Sequence, residues 1–157
     1  MFVYRRANIS DVGRITEFNC RLALETEGKQ LDPATVTRGV SRGLLLAPEV
    51  VYFVAEKEDI VVGQVMMTRE WSDWRDGWML WVQSVYVDAE WRGLGVFGKL
   101  FLFAVESVAS EESVANVRLY VEHANDAAKA VYGKLGFRTA GYEVMEMPYQ
   151  PGTDLTT

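Results

Sequence analysis

A glycine-rich stretch carries the residue types best suited to binding an anion. Glycines stand at positions 93, 95 and 98, between the strand-like segment Val85–Val87 and an apolar run with helical spacing. Such a turn directs several backbone N–H groups at one point, and the start of a helix adds partial positive charge. The stretch therefore predicts a loop that binds a phosphate-like group, and a tight turn that only needs positive φ explains the glycines about equally well.

Two nucleotide-binding motifs overlap this loop. Gly93, Gly98 and Lys99 have the spacing of a P-loop, but Leu100 stands where a hydroxyl would bind Mg²⁺, which excludes that type of NTPase. The glycines also match a dinucleotide fingerprint, and Glu122 closes the next strand, where an acid would bind the ribose. However, five residues separate the strand from the first glycine, whereas the dinucleotide fold turns almost directly into its glycines. A dinucleotide-binding oxidoreductase stays as an alternative.

A second segment of interest follows the strand predicted at residues 117–121. Asn125 precedes a helical run of small residues, Tyr132 lies about two turns into that run, and Leu-Gly-Phe follows at 135–137. Asn is a favoured N-cap, so a structural role alone accounts for Asn125. A core aromatic residue alone accounts for Tyr132. Neither residue by itself indicates a function.

Together, the two segments resemble the motifs of the GNAT superfamily of N-acetyltransferases. In that family, an Arg/Gln-x-x-Gly-x-Gly/Ala loop holds the pyrophosphate of acyl-CoA, and Arg92-x-x-Gly95 after its strand is similar to it. The family's second motif, a strand, then Asn-x-x-Ala-x-x-x-Tyr and Leu-Gly-Phe, is matched over residues 120–137. Phe97 departs from the pattern, since it occupies the position of a small residue. The two motifs have the family's order and spacing.

The resemblance implies both a fold and an activity. The fold would be α+β, with a mixed, mainly antiparallel sheet flanked by helices on both faces. The activity would be transfer of an acetyl group from acetyl-CoA, used as cosubstrate, to a small-molecule amine or a peptide amine, by direct attack in a ternary complex. A non-catalytic sensor that binds acyl-CoA stays as an alternative. A homodimer is compatible with the resemblance.

The same resemblance implies roles for individual residues. Backbone groups of Val85 and Val87 would bind the pantetheine arm, which Asn125 would also hold through its side chain. Tyr132 would be the catalytic acid that protonates the departing thiolate, for which a phenol with a pKa of ~10 is suitable. The pyrophosphate would bind to the N–H groups of the loop, which comprises Arg92, Gly93, Leu94, Gly95, Val96, Phe97 and Gly98.

The residue that accepts the amine's proton stays open in the sequence. Candidates lie at the end of the first helix and around a Trp-rich loop, namely Glu25, Glu27, Glu70, Asp73 and Asp76. Gln83, on the strand after the loop, cannot accept a proton as a carboxylate does but could orient a water molecule. In the loop, Trp71 and Trp74 are candidates for an aromatic wall that contacts the amine. Trp78 and Trp81 are expected to be packing residues. His123 has no partner at a ligand-like spacing, so no metal site is predicted.

The elements that must position these residues form one predicted domain over 1–147, with a tail over 148–157. Caps and helical spacing predict helices that run over about 12–27, 33–46, 95–109 and 125–135. Apolar runs between turn residues predict strands over 2–5, 50–56, 60–70, 78–87 and 117–121, with one or two closing strands over 137–147. Residues 71–77 are expected to be a loop.

Composition excludes several other classes of protein. The 157 residues include 16 basic and 22 acidic side chains, and the net charge of −6 disfavours nonspecific nucleic-acid binding while suiting a cationic substrate. A hydrophobic content of 49% excludes a disordered chain. Cys20 is alone, so no disulfide forms within the chain, and a reducing, cytoplasmic location is expected. No apolar run approaches the ~20 residues of a membrane span, and no signal peptide is recognised.

Overall fold

A mixed five-stranded sheet is the centre of the fold. The computed structural model describes residues 1–152. The strands pair in sequence order, and their bounds are β1 Phe2–Arg6, β2 Val50–Lys57, β3 Ile60–Ser72, β4 Gly77–Val87 and β5 Val114–Leu119. Each pair is antiparallel except β4 and β5, which are parallel. The mixed, mainly antiparallel sheet expected from the sequence is therefore confirmed.

Four helices accompany the sheet, and their bounds are α1 Val12–Glu27, α2 Pro33–Gly43, α3 Val96–Ala109 and α4 Asp126–Lys134. Helix α2 starts at the capping residues that predict it in the sequence. Asp32 accepts hydrogen bonds from the N–H groups of Ala34 and Thr35, and Pro33 takes the first helical position. Helix α1 ends at Gly28, whose φ of +65° suits glycine. Within residues 1–152, no helix is both long and apolar enough to cross a membrane.

The helices cover both faces of the sheet, as the resemblance implied. On one face, Leu100 and Ala104 of α3 are fully buried against Val65 of β3. On the other face, Ile15 and Phe18 of α1 are fully buried in a cluster that also contains residues of α2 and β2. Each large apolar side chain buried in this way contributes roughly 1.5–3 kcal/mol. The two clusters fix the helices relative to the strand ends.

Two expectations about the strands were wrong. Residues 137–147 form no strand, although one or two closing strands were predicted there. A strand needs a neighbouring strand to bond with its backbone, and this segment has none among the described residues. Its large side chains, such as Tyr142 and Met145, are exposed and so do not hold it against the sheet. The predicted loop at 71–77 is also shorter, because β3 pairs with β4 as far as Ser72 and Gly77. Of the predicted tail, residues 153–157 lie outside the described residues.

An ion pair between the partly exposed Arg5 and the buried Asp11 joins the start of α1 to the sheet. Asp11, which is 5% exposed, accepts hydrogen bonds of 2.8 and 2.9 Å from Arg5 and one of 2.8 Å from the N–H of Asn8. Arg5 also bonds to Glu56 on β2. The hydrogen bonds from Arg5 lower the pKa of Asp11, so the carboxylate is ionised at neutral pH. The pair therefore ties β1, β2 and α1 together.

We expect Asp11→Asn to lower the free energy of unfolding by about 2–3 kcal/mol at neutral pH, because buried charge-assisted hydrogen bonds are lost. The folded-state pKa of Asp11 lies below the unfolded value of ~3.9. The stabilisation is therefore present above that pH and is lost as the pH falls through the folded-state value. Urea unfolding should show the difference between wild type and variant narrowing on acidification to about pH 3.

The matched control is Asp59→Asn in the exposed turn between β2 and β3. It should behave as wild type at both pH values. A difference between wild type and Asp11→Asn that stays the same on acidification would contradict the assignment.

Candidate functional site

A cavity of about 640 Å³ opens where β4 and β5 separate. Residues of α1 and α2 line one part of it, and residues around the start of α4 line the other. Its volume lies within the roughly 300–1,000 Å³ typical of small-molecule sites. Among the residues singled out in the sequence, the cavity brings together Glu27, Gln83, Val85, Asn125 and Tyr132.

The cavity exists because two parallel strands pair over only part of their length. The pairing of β4 with β5 ends at Val82 and Leu119, whereas β4 continues to Val87 and pairs there with β3. Among residues 1–152, no strand pairs with the other edge of β4 over residues 83–87. The two strands therefore separate beyond this point, and the free edge of β4 can take an extended ligand arm as a further strand.

A β-bulge at Ser84 shapes this edge, and a buried glutamine holds it. The pairing of β3 with β4 shifts register just after Gln64, and Ser84 adopts a φ of +50°. Gln64 is 0% exposed, and its Nε2 donates to the Ser84 carbonyl at 3.1 Å and to Oδ1 of Asn19 at 2.7 Å. Asn19 itself lines the cavity. Gln64 thus fixes both the bulge and one polar group of the cavity.

The glycine loop leads directly into α3. Gly93 and Gly95 have φ values of +78° and +75°, a conformation that favours glycine. Gly95 is the N-cap and has no side chain to bond the first N–H groups of α3. A Cβ at either glycine would meet no atom within 4 Å, so the loop is open to an approaching ligand. This geometry suits a phosphate group.

Arg92, expected at the pyrophosphate, is bonded to groups of the protein. Its Nε donates to the Val87 carbonyl at 2.8 Å and its Nη2 donates to Glu25 at 2.7 Å. Glu25 also accepts a hydrogen bond of 2.7 Å from the Tyr86 hydroxyl, which together with Arg92 lowers the pKa of Glu25. Each oxygen of the Glu25 carboxylate therefore accepts one hydrogen bond, and Arg92 connects the loop to the end of α1.

Tyr132 lies between the loop and the cavity. Its ring makes edge-to-face contacts with Phe97 and Phe137, at centroid distances of 5.9 and 5.8 Å. Phe97, the residue that departs from the family pattern, also contacts Phe101 of its own helix. Burial raises the pKa of Tyr132, so the phenol carries its proton at neutral pH. A protonated phenol is the form that a general acid needs.

Asn125 has a visible structural role beside its predicted one. Its side-chain oxygen accepts a hydrogen bond of 3.0 Å from the N–H of Ala128 and so caps α4. The residue also lines the cavity, where its amide N–H groups are donors for a ligand. The contact of Asn125 with a cofactor arm stays a prediction.

Comparison with known proteins identifies the family. A model of the acetyltransferase (GNAT) family matches residues 17–137. The chain belongs to the GNAT acetyltransferase family. A crystal structure of a possible acetyltransferase from Clostridium difficile 630 is 42% identical, with a TM-score of 0.87, and the match covers 96% of this chain and 99% of that one. Among curated proteins, none matches the chain.

More distant structures show the same GNAT fold. A predicted acetyltransferase from Clostridium acetobutylicum with acetyl-CoA is 19% identical, with a TM-score of 0.73 and coverage of 93% of this chain and 96% of that one. Glucosamine-6-phosphate N-acetyltransferase from Arabidopsis thaliana is 20% identical, with a TM-score of 0.70 and coverage of 94% and 98%. Because the family model spans both the glycine loop and the second motif, the dinucleotide interpretation is not retained.

The structure of the GNAT domain separates the candidate bases. Glu27 and Gln83 line the cavity, and Gln83 donates to Thr68 Oγ1 at 2.8 Å. Glu70 instead bonds to Trp81 Nε1 at 3.1 Å, and Asp73 and Asp76 lie in the β3–β4 turn, outside the cavity lining. This turn lies beside the start of β5, whereas the cavity lies beyond the end of β5.

The prediction of an aromatic wall made of Trp71 and Trp74 was wrong for this cavity. Trp71 packs edge-to-face on Trp78 at 5.0 Å, and Trp74 is 87% exposed in the β3–β4 turn. Both lie at the far end of the hairpin because its strands extend further than predicted. Trp81 stacks on Tyr120 at 4.6 Å, which confirms its packing role.

Several residues of the site were not recognised from the sequence. The sequence does contain a signal for Gln64, because an amide side chain within the apolar run of β3 must find hydrogen-bond partners when the strand is buried. Asn19 was a similar signal on the apolar face of α1. The sequence indicates Glu122 only as a possible ribose-binding acid, but it lines the cavity and accepts a hydrogen bond of 2.7 Å from the N–H of Ala124.

Gln64→Leu should loosen the bulge, because Ser84 and Asn19 lose their shared donor while the side-chain volume stays similar. We expect faster amide exchange at residues 84–86 and a free energy of unfolding lower by about 1–3 kcal/mol. Hydrogen exchange followed by NMR measures the first effect, and urea unfolding measures the second.

Thr68→Val is the matched control for this test. It removes a side-chain hydrogen bond from the same strand, to Gln83, with almost no change of shape. It should leave the exchange rates at residues 84–86 as in wild type. Unchanged exchange there in Gln64→Leu would show that Gln64 does not hold the bulge.

Proposed function

We propose that this GNAT domain transfers the acetyl group of acetyl-CoA to the nitrogen of an amine, by direct attack while both substrates are bound. The proposal rests on one observation, which is that the groups needed to bind and cleave the thioester lie around one cavity. The unpaired edge of β4 and the protonated phenol of Tyr132 both border it. The open glycine loop leads into α3, and Phe97 of α3 contacts the ring of Tyr132 on α4. The loop is therefore connected to the same phenol.

The cofactor would extend from the loop to the cavity. The N–H groups from Gly93 to Gly98 would bind the pyrophosphate, since Gly93 and Gly95 leave the loop open. The N–H of Arg92 contributes less, because it already donates to the Ala89 carbonyl at 3.3 Å. The amide-containing arm would follow the free edge of β4 at Val85. Val87 offers less to it, because its carbonyl already accepts a hydrogen bond from Arg92.

The chemistry would divide between the backbone and a few side chains. The amine nitrogen attacks the thioester carbonyl carbon, so that a C–N bond forms and the C–S bond breaks. Tyr132 gives its proton to the departing thiolate and regains one from solvent. A backbone N–H of the bulge, near Val85, would stabilise negative charge on the carbonyl oxygen. The products are an amide and a thiol.

The amine must also lose a proton, and two carboxylates would be able to accept it. Glu27 and Glu122 are the carboxylates that line the cavity within the described residues. Either can accept the proton directly or through a water molecule and pass it to solvent. Glu25 is a poorer base, because Tyr86 and Arg92 already bond to its carboxylate and keep its pKa low.

Ligand-induced stabilisation tests the cofactor. We expect acetyl-CoA and CoA, but not NAD or ATP, to raise the melting temperature, since a ligand at 100 times its Kd adds about 2.7 kcal/mol of stability. Gly95→Ala should reduce this increment, because a methyl group at a φ of +75° distorts the N–H groups of the loop.

The control is Gly141→Ala, which places the same strain in a segment outside the loop, also at a φ of +75°. Both variants should lower the melting temperature of the free protein, but only Gly95→Ala should lower the increment. Absence of any stabilisation of the wild-type protein by acetyl-CoA and CoA would overturn the proposed cofactor.

Removal of the phenol tests the catalytic acid. We expect Tyr132→Phe to lower kcat by about 10²-fold, the usual contribution of a general acid, while stabilisation by acetyl-CoA is retained. Tyr142→Phe makes the same change in a side chain that is 71% exposed, and it should retain wild-type turnover. Equal kcat in Tyr132→Phe would exclude this acid. Cofactor binding by wild type without turnover of any amine would instead favour the sensor.

A further inference from the structure

The charge of the cavity lining narrows the class of acceptor. Glu27 and Glu122 contribute two carboxylates, and within the described residues no Lys, Arg or His side chain lines the cavity. We propose that the acceptor is a small amine whose remaining body carries no carboxylate or phosphate group, which excludes free α-amino acids and phosphorylated amino sugars. This inference rests on the proposed function and names the substrate class of the same site.

Three basic side chains on the elements around the cavity are paired with acids, and none of them is among the lining residues. Lys29 lies 2.6 Å from Glu27, and this contact, with a smaller contribution from Glu146, raises the pKa of Lys29. Arg21 of α1 pairs with Glu17 and Asp88, and Arg118 of β5 lies 3.7 Å from Glu70. A ligand carboxylate in the cavity would therefore have to draw one of these three side chains away from an acid of the protein to gain it as a partner, because no cationic side chain lines the described cavity.

The part of the cavity under α1 and α2 is suited to a hydrocarbon body. Its floor and walls include the apolar side chains Leu22, Ala23, Leu31, Val36 and Val40. An unpaired anion placed against such side chains loses its hydration without replacement, which is unfavourable. A protonated amine instead meets the carboxylate of Glu122 and that of Glu27, which it would share with Lys29. The cavity would thus select its acceptor in two ways, because its carboxylates attract an ammonium group and its apolar side chains disfavour an anionic group.

The size of the cavity sets an upper limit on the acceptor. The 640 Å³ must hold both the acetyl end of the cofactor arm and the acceptor. A compact aralkyl or alkyl amine fits this space. One structural neighbour is a glucosamine-6-phosphate N-acetyltransferase. The phosphate of such a sugar would find no cationic side chain in the described lining of this cavity.

Matched pairs of acceptors test the inference. Tyramine, tyrosinamide and tyrosine share the same ring and amine, but only tyrosine carries a carboxylate. Histamine and histidine form a second pair. Binding to the protein saturated with CoA is measured by calorimetry, and transfer is measured by thiol release with acetyl-CoA. We expect tyramine and tyrosinamide to bind and react better than tyrosine by about tenfold or more, and histamine better than histidine, since like charges oppose each other across the site.

Two neutralising variants locate the source of the selection. Glu27→Gln removes a carboxylate from the cavity, whereas Glu58→Gln makes the same change of net charge in the exposed β2–β3 turn, outside the lining. Only Glu27→Gln should narrow the preference for tyramine over tyrosine. The same narrowing in Glu58→Gln would assign the preference to the overall charge and would overturn the role of the cavity.

Binding and transfer are measured separately, so a failure of the acceptor class can be distinguished from a failure of the proposed acetyltransferase activity. Binding that favours the uncharged-body amines, without transfer, would support the acceptor class and refute the acetyltransferase activity. Transfer to tyrosine or histidine as efficient as transfer to tyramine or histamine would support the activity and overturn the acceptor class. Failure of all these amines to bind the CoA complex would also overturn the acceptor class.

Discussion

The early end of the pairing between β4 and β5 is the constraint on which the rest of the structure depends. Parallel strands need a crossover, and here α3 supplies it and packs against the sheet with a broad apolar surface. Beyond Val82 and Leu119, however, the two strands no longer bond to each other. The backbone groups of β4 that follow must face solvent or a ligand, because a buried unpaired group is costly. A cleft between the strands is the consequence.

The two hydrophobic clusters turn this cleft into a defined site. Packing of α3 through Leu100 and Ala104 fixes where that helix starts, and therefore where the glycine loop presents its N–H groups. Packing of α1 through Ile15 and Phe18 fixes the opposite wall. Gln64 then links that wall to the bulge through Asn19 and Ser84. The polar groups of the site are thus held by contacts that lie outside it.

Features decided by local chemistry could be predicted from the sequence. The cap made by Asp32 and Pro33 indicated α2, and Asn125, a favoured N-cap residue, indicated α4. The position of Tyr132 at the cavity was implied only by the family resemblance. The extent of β3 and β4 could not be predicted in this way, because Ser72 and Gly77 belong to strands only through their pairing. The prediction of strands over 137–147 was wrong for the same reason, since an apolar run does not by itself provide a neighbouring strand. Gln64 was visible in the sequence as a lone amide, but its two acceptors, Asn19 and Ser84, could be located only in the structure.

The position of Arg92 has a consequence for the strength of anion binding. Its guanidinium group already bonds to Glu25 and to the Val87 carbonyl, and it lies 5.2 Å from the centroid of the Tyr86 ring. An anion in the loop that recruits this side chain must compete with Glu25 for it. The new contact then contributes only the difference between two similar interactions, while the loop N–H groups contribute in full. Affinity at the loop would accordingly owe more to its backbone than to its one arginine.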